Sequence, residues 1–162
     1  MAAARDIIFV LITLFTVGTF LFIVNFGTKT MVSEIVKIPV INDTSVAKEA
    51  FEDTSNVADR FDYLFFGLFM ALTLGIIITG WFVAGNPLFM ILYFIVAVIA
   101  VITSMIFGNV WYDITTQVAF GNTLGNLPIT NLVLTNLPIF AASISILGLV
   151  VMFSKPFLVR NV

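Results

Sequence analysis

The chain has 162 residues, 60% of them hydrophobic and 10% charged, with a formal net charge of -2 and neither cysteine nor histidine. A soluble domain carries about 25% charged residues, so the composition points away from a soluble protein and toward a single membrane domain. Without cysteine no disulfide, thiolate metal site or sulfur nucleophile can form. Seven scattered basic residues make neither a nucleic-acid surface nor a polybasic lipid patch.

Met1 to Asp6 is a short polar start, and Ile7 to Gly27 is an unbroken apolar run. About 20 apolar residues cross a hydrocarbon core about 30 Å thick, so residues 7–27 are expected to be the first span. A cleaved leader would have a shorter apolar core and a small-residue cleavage site, which makes this run a retained anchor. Thr13, Thr16 and Thr19 can return their hydroxyls to the helix backbone.

Residues 28–60 form a polar loop that, counted with Asp62, holds four of the seven basic and seven of the nine acidic residues. Met31 to Ile41 is rich in Val and Ile and contains Pro39, which favours an extended path. From Asn42 or Asp43 onward, Val46, Ala47, Ala50, Val57, Phe61 and Leu64 recur at helical spacing, predicting an amphipathic helix with an Asn or Asp cap. Lys48, Glu49, Glu52 and Asp53 on this helix are the candidate contact for a neighbouring protein. Glu49, Glu52, Asp53, Asp59 and Asp62 carry oxygen ligands, but their spacing matches no EF-hand loop, and no metal site is expected.

Residues 61–84 and 88–107 read as the second and third spans, reversed at Gly85-Asn86-Pro87, where Pro87 lacks a donor and Gly and Asn tolerate positive φ. Antiparallel neighbours are expected from so short a turn. Gly67, Ala71 and Gly75 make a small-residue row on the second span, and Ala100, Ser104 and Gly108 make one on the third. Such rows let backbones approach in lipid, and the two are expected to touch.

Residues 108–136 are mixed in polarity and are expected at the membrane surface. Trp111 and Tyr112 suit the headgroup belt, where a ring is half buried and its polar tip wet. Asp113 reads as the cap of an interfacial helix. Asn126-Leu127-Pro128-Ile129 recurs as Asn136-Leu137-Pro138-Ile139, each placing Asn ahead of Pro as a helix start does. The first copy is expected to open a short interfacial helix and the second to open the last span, 137–154, with Lys155 snorkelling outward and Pro156 ending it. The predicted fold is an all-α integral membrane protein, a four-helix transmembrane bundle with a partly helical polar loop and a short interfacial helix.

Apart from Asp62 at the start of the second, the four spans contain no Asp, Glu, Lys, Arg, His or Cys, so no catalytic group, proton relay or cofactor is expected within them. A pore through one copy would need a polar helix face. An oligomeric channel, with Thr13, Thr73 or Thr103 facing a shared axis of a homo-oligomer, stays open as an alternative.

The stretches Gly108-Asn109-Val110-Trp111, Leu127-Pro128-Ile129-Thr130-Asn131, Asn136-Leu137-Pro138 and Met152-Phe153-Ser154-Lys155-Pro156 resemble small multi-span proteins of tailless icosahedral viruses with an internal lipid membrane. The resemblance covers roughly the last 100 of the 162 residues and does not extend to the first span or the acidic loop. It implies a structural protein in a virion membrane, lying beneath a capsid and touching capsid or vertex proteins through its polar loops. The composition fits equally an accessory subunit of a cellular membrane enzyme complex. In either setting the expected partners are lipid and other proteins, with the termini on the cytoplasmic or interior side.

Overall fold

The computed structural model describes residues 2–83, 87–120 and 123–159, with side chains over 6–82, 88–120 and 123–154. Among the described residues the secondary structure is helical throughout: α1 (Ala2–Ile35), α2 (Pro39–Asn42), α3 (Ser45–Asp59), α4 (Phe61–Val83), α5 (Pro87–Thr115), α6 (Pro128–Thr135) and α7 (Leu137–Val159), with two single 3₁₀ turns at Val118–Phe120 and Leu124–Asn126. Four stretches are long and apolar enough to cross a membrane: Asp6–Ile35, Ser45–Phe82, Leu88–Thr115 and Leu137–Ser154. The second joins α3 to α4 because only Arg60 separates those helices.

The long helices make a rhombus. α1 packs on α4 and α5, α7 packs on the same two, and α1 and α7 meet across the short diagonal. α4 and α5 stand apart across the long diagonal, which corrects the expectation that the Gly85-Asn86-Pro87 hairpin makes them neighbours. Gly85 and Asn86 themselves lie outside the described residues. The physical reason is α6, which packs against both α4 and α5 and wedges them apart at one end of the bundle. Contacts along the helices fix their directions: Phe15 lies flat on Phe107 and Phe22 edge-on to Trp111, Phe69 is edge-on to Phe140 and Gly80 lies beside Gly148, while Gly18 of α1 lies against Phe65 near the start of α4 and Ile7 shares a cluster with Ile76 further along it. α1 and α5 therefore run one way, α4 and α7 the other, so the start of α1 and the end of α7 share one end.

The wedge is built from the sequence upward. Pro128 begins α6, as its fixed φ and missing donor favour at a helix start. Leu134 on α6 fills a hollow at Gly18 of α1, where an added Cβ would lie 2.6 Å from Leu134 Cδ1 and 3.0 Å from Phe65 Cε2. Around it Phe22, Phe65, Trp111, Leu127 and Leu134 are fully buried. At the other end the core passes through Ile7, Leu14, Ile76, Tyr93 and Met152. A second glycine hollow at Gly148 of α7 receives Tyr93 of α5, whose hydroxyl would overlap any Cβ there.

Three segment expectations change. Residues 31–41 are not extended: α1 has 34 residues, about 51 Å at 1.5 Å per residue, and runs on to Ile35, with α2 following at Pro39. Helix propensities differ by under about 1 kcal/mol among non-proline residues, so the packing of α3 on α1 overrides the Val and Ile content. α3 begins at Ser45, and Thr44 donates its hydroxyl to the Val40 carbonyl (2.8 Å) rather than accepting from the first turn. Pro156 does not end α7, whose helix continues to Val159, since a proline so near the end removes only one ladder bond.

Candidate functional site: the buried polar node beside the wedge

Most polar side chains that the fold buries gather where α6 enters the bundle; Ser145 and the Tyr93 hydroxyl lie away from it. Asp62, in the first turn of α4, is 3% exposed. Its Oδ1 accepts from the Thr130 N–H (2.7 Å) and the Thr130 hydroxyl (2.8 Å), and its Oδ2 accepts from the Ile129 N–H (2.8 Å). Those amides belong to the first turn of α6, whose own N-cap side chain is Leu127 and supplies no hydrogen bond. A carboxylate at a helix N-terminus satisfies orphan donors and faces the positive end of the helix dipole, so Asp62 caps α6 from another helix. The sequence assigned a capping role to Asp113, which instead sits exposed within α5.

Next to Asp62, Asn25 of α1 is fully buried and donates its Nδ2 to the Ala58 carbonyl (2.9 Å) and to Asp59 Oδ1 (3.4 Å). Lys29, one turn further along α1, pairs with Asp59 Oδ1 at 2.7 Å. These bonds hold the end of α3 on α1. They also account for α1 passing through Asn25-Phe26-Gly27-Thr28 without stopping, because the Asn25 side chain is bound in tertiary structure. At the far side of α6, Trp111 Nε1 donates to Asn131 Oδ1 (3.0 Å), which also accepts from the Thr135 hydroxyl (3.1 Å).

Trp111 is therefore a core residue, fully buried with Phe22 edge-on at 5.2 Å, and not the half-wet belt residue expected. α5 continues to Thr115, and the wedge covers the indole on the side that would have met headgroups. Tyr112, the next residue round the helix, is exposed. The Lys155 side chain lies outside the described residues.

The two small-residue rows do not meet. Ala100 and Ser104 are fully buried, and Gly108 lies against the Leu134 carbonyl and Pro138 at the α6–α7 corner. Gly67, Ala71 and Gly75 face outward, and nothing approaches the Cβ positions of Gly67 and Gly75 within 4 Å. The close helix approach lies elsewhere, at Gly80, whose added Cβ would be 3.7 Å from the Gly148 carbonyl. Neither Gly18 nor Gly148 belongs to a regular row, so spacing alone did not reveal them.

On α3, Glu49, Glu52 and Asp53 are exposed and Lys48 is half-buried. Among the described residues no three carboxylates come together as a metal site would require. Asp62, the buried acid, has both oxygens engaged by α6 and is arranged to hold a helix rather than to take a proton from a substrate. The hydroxyls of Thr73 and Thr103 return to the carbonyls of Phe69 and Ile99, whereas the buried Thr19 hydroxyl has no partner among the described residues. The class defined by these features is an all-helical chain with four potential membrane spans and an internal wedge. Comparison with protein-family models, with curated proteins and with solved structures found no match.

Proposed function

We propose that the protein is a non-catalytic structural membrane protein of a larger assembly. Its four long helices lie in a bilayer, and the arm formed by the end of α1 with α2 and α3 meets a neighbouring protein. The observation that carries this reading is how the polar groups are divided: Asp62, Asn25 and Trp111 at the node bind the chain's own elements, while Glu49, Glu52 and Asp53 stay at the surface of the arm. Outward-facing Phe9, Phe20, Leu74, Ile91, Ile102, Ile146 and Phe153 suit lipid, since no apolar core covers them. Exposed ion pairs contribute about 0–1 kcal/mol each, so mixed charge on an arm gives orientation and specificity more than affinity. The setting that the sequence resemblance implies is the internal membrane of an icosahedral virus, with capsid or membrane proteins as partners.

The test reverses Lys48, Glu49, Glu52 and Asp53 together. Membrane extraction behaviour and helix content stay unchanged, and co-purification with the parent particle or complex falls. Alanine at Asn109 and Asp113 serves as the control, because both are exposed and outside the node. Normal incorporation of the reversed arm, with loss of an activity in the control, would replace the scaffold reading by a functional surface near Asn109. Mass spectrometry of the co-purified material separates capsid proteins from enzyme subunits.

A further inference from the structure

We propose that the α3–α4 junction is a latch that couples the arm to the wedge, so that the seating of α6 depends on where α3 lies. Two sets of bonds meet within five residues. Ala58 and Asp59 hold α1 through Asn25 and Lys29, and Asp62 holds the first turn of α6. Arg60 alone separates the two helices, and backbone bonds bridge it: the Arg60 N–H donates to the Val57 carbonyl (3.0 Å) and the Tyr63 N–H to the Arg60 carbonyl (3.1 Å). A displacement of the end of α3 is therefore transmitted to Asp62 with little slack.

The latch is two-state for an electrostatic reason. A buried carboxylate left without donors is strongly unfavourable, so α6 cannot leave while Asp62 stays in place. Either all three bonds hold and Leu134 fills the Gly18 hollow, or the start of α4 and α6 separate together and the carboxylate reaches water. Apolar packing alone would permit graded loosening. The inference goes beyond the proposed function and does not depend on which partner, if any, the arm meets.

The chain has no cysteine, so one introduced thiol is the sole target for a maleimide. Val133 of α6 is buried, and Val133→Cys reports wedge opening in the full chain in detergent micelles. Asp62→Asn is expected to raise its labelling rate at least about tenfold, the scale of losing a hydrogen bond to a charged acceptor. Asn25→Ala, which touches only the α1–α3 side of the junction, is expected to raise it about threefold at unchanged helix content, through loss of its bonds to the Ala58 carbonyl and to Asp59. Glu49→Cys on the arm, exposed from the outset, should label at one rate in all backgrounds. Unchanged protection of the thiol at position 133 in Asp62→Asn overturns the latch, and opening in Asp62→Asn without opening in Asn25→Ala overturns the coupling. Should Asp62→Asn not fold, Thr130→Val removes one of its three donors and takes its place, with unchanged protection there again counting against the latch.

Discussion

Glycine does two different jobs in this chain, and its neighbours decide which. At Gly148 any side chain meets the Tyr93 hydroxyl, and at Gly18 it meets Leu134 and Phe65. Overpacking a filled core costs about 1–3 kcal/mol, so Gly148→Ala and Gly18→Leu are expected to lower the melting temperature in detergent, Gly18→Leu the more. Gly75→Leu, in open space, should stay within roughly 0.5 kcal/mol of the parent. Should Gly75→Leu instead block assembly at unchanged melting temperature, the outward row on α4 is a contact with another chain. Tyr93 sharpens the test, since its buried hydroxyl has no hydrogen-bond partner among the described residues. Tyr93→Phe removes that unpaired group and is expected to stabilise by roughly 1 kcal/mol, and to relieve part of the Gly148→Ala defect. A Tyr93→Phe chain that melts lower would mean the hydroxyl is engaged.

Short and long helices are held by different forces here. α6 has eight residues, too few to be stable alone, because nucleating a helix costs more than one turn returns. It persists because Asp62 caps it from outside, Leu134 is buried at Gly18, and Trp111 bonds Asn131. Trp111→Phe removes the N–H together with the five-membered ring of a fully buried indole, so it is expected to cost at least about 1 kcal/mol, from an Asn131 left one donor short and from the cavity opened. Chemical denaturation followed by circular dichroism measures this, and a change below about a third of that value would show that the bond is dispensable. α3, by contrast, is anchored at one end through Ala58 and Asp59 and presents Glu49, Glu52 and Asp53 outward.

Across the molecule, the alternation of helix direction brings the start of α1 and the end of α7 to one end, with the arm and wedge at the other. Cysteine at Ala4 and at Val159 should thus be labelled from one face of a vesicle, and cysteine at Glu49 from the opposite face. Labelling of the first two from different faces would remove the four-span arrangement. The interior of the rhombus is filled by Leu14, Phe69, Ile76, Ala141 and Ile144 around a cavity of about 10 Å³, too small to seat more than one water.

Helix type, the long apolar runs and both Asn-Leu-Pro helix starts were legible in the sequence, because they depend on local chemistry: apolar run length, a missing donor and a fixed φ. That residues 45–59 are helical was legible for the same reason, but their inner face was not: Val46, Val57 and Leu64, which the three-and-four spacing puts on the apolar side, are exposed, and α3 meets α1 through Ala58 and Asp59. What the sequence did not reveal was which faces meet. Gly67, Ala71 and Gly75 look like a packing row, yet α4 turns them outward, because α6 stands between α4 and α5 and the contact falls to Gly80 and Gly148. Asp62 reads as one more acid of a charged loop and Trp111 as a headgroup anchor; both are buried because a helix 60 or more residues from Asp62, and 17 from Trp111, folds back over them. In a bundle that is apolar on every side, hydrophobicity cannot rank one helix face above another. The choice rests on shape and on a few buried polar bonds, and both exist only once distant segments have come together.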